Sequence, residues 1–134
     1  MGRGIRAVNS LDTNVVLRFL LNDIPEQTKI ATRLISTSPV YVSDVVITET
    51  VYVLEQTLKH DRRFICAVLR MFLDLQSVLY NDHVLPNVIN LFEKRPSLSF
   101  VDCYAAVEAK IFSSKLYTFD KKLINQGGSH VLAP

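Results

Sequence analysis

Four acids, Asp12, Glu49, Asp102 and Asp120, are spread through a chain of 134 residues, each where one regular element gives way to another. Asp12 and Asp120 close the strand-like runs Ala7 to Leu11 and Lys115 to Phe119, and Glu49 and Asp102 lie in the opening turns of helical patterns. In an α/β protein, strand ends and the helix starts that follow them share one rim, so four carboxylates can converge from distant sequence. Carboxylate oxygens suit hard divalent ions such as Mg²⁺ or Mn²⁺. An ion held there lowers the pKa of a water and neutralises charge on a leaving oxygen, which is the chemistry of phosphodiester hydrolysis. Thr13, Asn14 and Thr118 stand beside these acids and could orient a ligand or water, although all three residue types also serve turns and caps.

Each acid also has a structural reading. Glu49 has Val45, Val46, Tyr52 and Val53 as its helical-wheel neighbours, which predicts that it points into the protein and needs a metal or a basic partner there. A buried salt bridge or a helix edge is the alternative. Asp102 follows Ser99 by three residues, the spacing of a capping box, and Ala105, Ala106 and Ala109 behind it allow close helix approach. Asp12 and Asp120 could be ordinary strand-end turn residues. Taken together, four acids on one rim would repel one another, so neutralising one should stabilise the metal-free chain. His60, His83 and His130 are scattered without metal spacing and read as solvated or capping residues. Cys66 and Cys103 sit in apolar helical patterns and read as buried free thiols. Lys121-Lys122, Arg18 and Arg62-Arg63 could meet phosphates, but such pairs usually form a solvated face.

Periodicity places the elements that must carry these residues. After strand one, Asp12-Thr13-Asn14 leads into a helix over Val15 to Leu21, and Asp23 with Pro25 starts a second that Ser36 to Pro39 stop. Val40 to Val42 is strand two, and Ser43 caps a helix with Ile47, Val51, Leu54 and Leu58 on one face. Asp61 caps the next helix, which carries Phe64, Val68, Met71 and Leu75 and precedes a third strand at Val78 to Tyr80. Asn81 or Asp82 starts another helix, Ser99 opens one through Ser113, and Lys121 to Asn125 make a turn of helix. Gly127-Gly128 forms a sharp turn before an edge strand at His130 to Leu132. The expected fold class is α/β, a three-layer sandwich with a mostly parallel five-stranded sheet flanked by helices. Residues 1–5 are expected to form a flexible start, with a single domain over 6–134.

Leu11-Asp12-Thr13-Asn14, Thr48-Glu49-Thr50, Ser99-Phe100-Val101-Asp102-Cys103 and Thr118-Phe119-Asp120-Lys121-Lys122-Leu123 occur in the order and spacing of a known family. On these segments the chain resembles the PIN-domain family, and in particular its VapC-type toxins, from residue 6 to about 125. The resemblance implies a nuclease that binds Mg²⁺ or Mn²⁺ and cleaves RNA, with Asp12, Glu49, Asp102 and Asp120 in the metal-ligand and catalytic positions and Thr13, Asn14 and Thr118 in support. It further implies a homodimer and a cognate antitoxin that would place a basic side chain near Asp12 and Asp120. Departures are the polar Asn9 and Ser10 in strand one and Cys103 where a smaller residue is commoner.

Composition agrees with a globular chain, at 49% hydrophobic and 21% charged residues, and argues against wholesale disorder. A net charge of +2 permits a polyanionic partner without demanding one. Charged or amide residues interrupt every apolar stretch too soon for a membrane span, and no apolar leader is visible, so a cytoplasmic location is expected. The third and fourth helices carry more apolar residues, Phe64, Ile65, Leu69, Met71, Phe72 and Leu73 among them, than one core stripe needs, which again suggests a second copy. A phosphoacceptor receiver domain is disfavoured because no adjacent acidic pair follows strand one. The remaining alternative is a PIN-like module that binds RNA or protein without cutting.

Overall fold

The computed structural model describes residues 8–134; the expected flexible start and Ala7 of strand one lie outside them. The chain forms two compact units, one from the chain up to Thr50 with Val68–Tyr80, the other from Val51–Ala67 with Asn81–Pro134. All five expected strands occur, each reduced to two regularly paired residues, in a three-stranded and a two-stranded parallel sheet.

In the first unit, β1 (Asn9–Ser10) pairs with β2 (Val40–Tyr41), and β2 with β3 (Val78–Leu79), all parallel. The flanking bonds Leu11 N–H to the Tyr41 carbonyl (2.8 Å) and Val42 N–H to the Leu79 carbonyl (3.0 Å) carry the pairing onward. Parallel neighbours require a crossover, and α1 (Thr13–Leu21) with α2 (Pro25–Thr37) supplies the one between β1 and β2. Asn22, in the left-handed conformation at φ 52°, ends α1, and Pro25 pre-sets the first turn of α2. The Thr28 hydroxyl donates to the Arg18 carbonyl at 2.6 Å and pins this helical hairpin. Val16 and Leu17 of α1, Ala31 and Ile35 of α2, and Val40 and Val42 are buried here.

Helix α3 (Asp44–Tyr52) continues into a π-type turn over Val53–Thr57, closed by a bond from Leu58 N–H to the Val53 carbonyl at 2.9 Å. The expected straight helix through Leu58 is therefore corrected. Ile47, Val51 and Leu54 hold the buried stripe, but the widened turn rotates Leu58 off it, leaving that side chain exposed. Helix α4 (Arg62–Leu73) begins, as expected, on Asp61, whose Oδ1 accepts from Phe64 N–H at 2.8 Å. Ile65, Cys66, Leu69, Phe72 and Leu73 are buried, the spacing of one wide core stripe. Of the apolar surplus expected on helices three and four, Val45, Tyr52 and Leu58 on the third and Phe64 and Met71 on α4 are exposed.

In the second unit, α5 (Leu85–Lys94) packs against α6 (Phe100–Ile111), and β4 (Leu116–Tyr117) pairs in parallel with β5 (Val131–Leu132) across α7 (Lys121–Gln126). Val88, Ile89 and Phe92 of α5 and Phe100, Cys103 and Ala106 of α6 are buried there. The Arg62 guanidinium organises one edge: it lies 3.8 Å over the Phe92 ring, bonds Glu55 at 3.0 Å, and donates to the Phe92 and Arg95 carbonyls at 2.9 and 3.1 Å. The Gly127-Gly128 turn is as expected, with Gly128 at φ +124°, a conformation that L side chains rarely adopt.

Candidate active site

Asp12 and Glu49 belong to the first unit. Asp12 is the residue from which α1 starts, its carbonyl accepting from Val15 and Val16 N–H at 3.1 and 3.2 Å. Its carboxylate makes no capping bond and is exposed, so the common structural use of an acid at this position is not made here. The next residue, Thr13, is buried, and its hydroxyl donates to Glu49 Oε1 at 2.5 Å across 36 positions of sequence. A hydrogen bond to a charged acceptor is among the stronger neutral-to-ion contacts, and this one ties α3 to the first residue of α1.

Glu49 itself is exposed, which corrects the expectation that it points inward. The wheel neighbours that suggested burial are themselves outside the core: Val45 is 76% and Tyr52 63% exposed. An apolar residue on a helix signals burial only when something packs over it, and the wheel cannot see that. Asn14 is turned elsewhere, lining the groove between α1 and α2 with Val15, Arg18 and Ile30.

Asp102 and Asp120 belong to the second unit, and both serve as caps. Asp102 Oδ2 accepts from Ser99 N–H at 3.3 Å while Ser99 Oγ accepts from Asp102 N–H at 3.1 Å, the reciprocal capping box expected from the sequence. Asp120 Oδ1 accepts from Lys122 and Leu123 N–H at 2.9 and 3.4 Å and starts α7. Thr118 Oγ1 accepts from Asp120 N–H at 3.0 Å, so Thr118 fixes the turn that presents Asp120. Each cap uses one oxygen of its carboxylate.

The caps work against the stabilisation expected from neutralising an acid. Asp120→Ala, which leaves two helix-start amides without their acceptor, should lower stability by about 1 kcal/mol in urea unfolding. Asp120→Asn, whose side chain caps nearly as well, should cost less than half of that. Equal losses in the two variants would mean that charge, not capping, sets the role of Asp120 in the fold.

Among the described residues no group of three or more His, Cys, Asp or Glu side chains is set to hold a metal ion. The donor chemistry of the four acids nonetheless fits a hard divalent ion, because all are carboxylates with oxygen outside their local hydrogen bonds. Nucleophilic cysteine chemistry does not fit. Cys66 and Cys103 are free and buried, as expected. Burial pushes the Cys103 thiol up to about 12, with Arg62 pulling it down and Asp102 and Cys66 adding to the rise, so it stays protonated and inert at neutral pH. Of the histidines, His83 is solvated as expected beside Asp82, whereas His60 stacks on Phe64 at 4.4 Å and half-buried His130 has Nε2 2.6 Å from the Ala106 carbonyl, neither solvated nor capping.

Parallel strands joined by helices define a mixed α/β fold. Residues 10–128 match the family model of the PIN domain, and the chain belongs to that family. PIN domains are generally nucleases, which are hydrolases. A search of the curated proteins gives no match to the chain. No helix among the described residues is long and apolar enough to cross a membrane.

Proposed function

We propose that the chain is a metal-dependent endoribonuclease that hydrolyses RNA phosphodiester bonds and serves as the VapC-type toxin of a type II toxin-antitoxin pair in the cytoplasm. The observation that carries the nuclease reading is that two exposed acids of the first unit are not used as caps: Glu49 on α3 accepts from the buried Thr13 hydroxyl, and Asp12, the residue before Thr13, makes no capping bond. A buried hydroxyl needs an acceptor, and Thr13 finds it in Glu49, which fixes the position of that carboxylate.

Asp12, Glu49, Asp102 and Asp120 would hold Mg²⁺ or Mn²⁺, and the resemblance supplies the expectation that all four do so in one three-layer domain with a five-stranded sheet. When bound, the ion provides Lewis acidity toward a water and the phosphodiester. The residues of the chain do the rest: Thr13 holds the Glu49 carboxylate and Thr118 fixes the turn carrying Asp120. A homodimer and an antitoxin that brings a basic side chain toward Asp12 and Asp120 belong to the same reading. A cation placed there would compete with the metal for the carboxylates.

The test is cleavage of an unpaired oligoribonucleotide with Mn²⁺ and with EDTA. Cleavage that vanishes on chelation and returns with added Mn²⁺ supports the reading. RNA binding without cleavage at any metal concentration would instead favour the non-cutting module. Thr13→Val keeps the buried shape and removes the hydroxyl. It should lower cleavage by about 10- to 100-fold through the freed Glu49, with an apparent metal requirement that rises to match. An unchanged metal requirement would show that Thr13 does not act through Glu49.

A further inference from the structure

The segment from Lys115 to Lys122 alternates in exposure in a way that the nuclease chemistry does not use. Leu116 and Thr118 are half-buried, and between and beyond them Tyr117 is 59% and Phe119 87% exposed. Tyr117 ends β4, the pairing runs on to Thr118, whose N–H donates to the Leu132 carbonyl at 3.0 Å, and Phe119 follows in the bend that leads to Asp120, so two exposed rings stand two residues apart at the end of the strand. Lys115 precedes this pair of rings and Lys121 and Lys122 follow it, and all three are exposed. Phe119 immediately precedes Asp120, one of the four acids assigned above.

We infer that Phe119 and Tyr117 form a stacking platform for unpaired bases of a single-stranded RNA, with Lys115, Lys121 and Lys122 meeting its phosphates. The inference rests on the reading of the chain as a ribonuclease and names how its substrate is gripped. A large aromatic ring left almost wholly in water gains nothing for the fold and gains most from a flat π partner. Every base has such a face, and unpaired bases expose it whereas duplex bases do not. The flanking ammonium groups favour a polyanion over an apolar protein surface as the occupant. A nucleotide stacked on Phe119 carries its own phosphates toward the neighbouring Asp120 carboxylate, so the platform also sets the register of the strand at the acids.

The test is fluorescence anisotropy of a labelled unpaired oligoribonucleotide titrated with the full chain in EDTA, where binding is read without cleavage. Phe119→Ala should weaken binding about tenfold and Tyr117→Ala about fivefold, within the range for loss of one stacked base. Phe119→Leu should lose as much as Phe119→Ala, because an apolar side chain without a π face does not stack. The chain contains no Trp, so Phe119→Trp introduces one reporter ring; its affinity should hold and its emission should be quenched as RNA is added. A duplex of the same sequence should bind more weakly to every form. Wild-type affinity in Phe119→Ala and Phe119→Leu, or an unquenched Phe119→Trp, overturns the inference. So does a shift of Phe119→Ala to a smaller species in sedimentation with RNA affinity intact, which would assign the rings to a protein interface. Stacking that holds while the wild type fails to cut RNA with Mn²⁺ would keep the platform and reject the nuclease. Cutting that persists with stacking absent would do the reverse.

Discussion

Asp12→Asn should reduce metal-dependent cleavage of single-stranded RNA by more than about a hundredfold, since residues that only orient metal ligands are already worth about 10- to 100-fold. The substitution is nearly isosteric and removes one unit of negative charge. The fold should be little affected, because the Asp12 side chain makes no capping bond and the helix start uses its backbone carbonyl. Asn is also a favoured residue at that position. The expected pattern is therefore separation of the two readouts: an unfolding midpoint within the error of wild type, and cleavage at or near background at every Mn²⁺ concentration. Two results would sink the assignment. One is full activity in Asp12→Asn, and the other is an activity loss that follows a matching loss of folded protein.

Phe92→Ala is expected to have the largest effect on stability, about 3 to 5 kcal/mol, because it empties a fully buried ring position. The ring has two specific partners besides its apolar contacts. Phe100 meets it edge-on at 5.3 Å and 77°, and the Arg62 guanidinium lies over its face at 3.8 Å. Both partners lose their contact in the variant, and Arg62 keeps only its bonds to Glu55 and to the two carbonyls. Phe92→Leu, which retains most of the volume, should cost less than about 1.5 kcal/mol plus the lost aromatic contacts. Phe112→Ala, at a position 71% exposed, should stay within about 0.5 kcal/mol. Urea unfolding of the three variants checks the order. A Phe92→Ala loss below that of Phe92→Leu would mean that the second unit can close over the space.

Local interactions made much of the chain legible in its sequence. The Asp61 and Ser99 helix starts are read from residue type and a three-residue spacing, because a capping bond closes within one turn and depends on nothing further away. Parallel strands separated by helices follow from alternation of the two hydrophobic periods, and the buried stripe of Ile47, Val51 and Leu54 follows from the helical one. The four family segments are short runs in fixed order, which a one-dimensional reading can find, and the match over residues 10–128 rests on the same kind of information.

What the tertiary structure decided is where each side chain ends up when elements meet. Glu49 looks buried on a helical wheel because Val45 and Tyr52 surround it, yet both of those residues are exposed, and so is Glu49, its carboxylate held by a hydroxyl 36 positions away. The end of α3 looks regular because Leu58 keeps the period, but in the fold a widened turn moves it off the core. Helix α4 looks over-supplied with apolar residues because the width of its stripe depends on how much of the helix its neighbours cover. Tyr117 and Phe119 read as ordinary strand residues for the same reason. Sequence carries the pattern of a face, but burial belongs to the pair of surfaces that meet, and the second surface is fixed only by the fold.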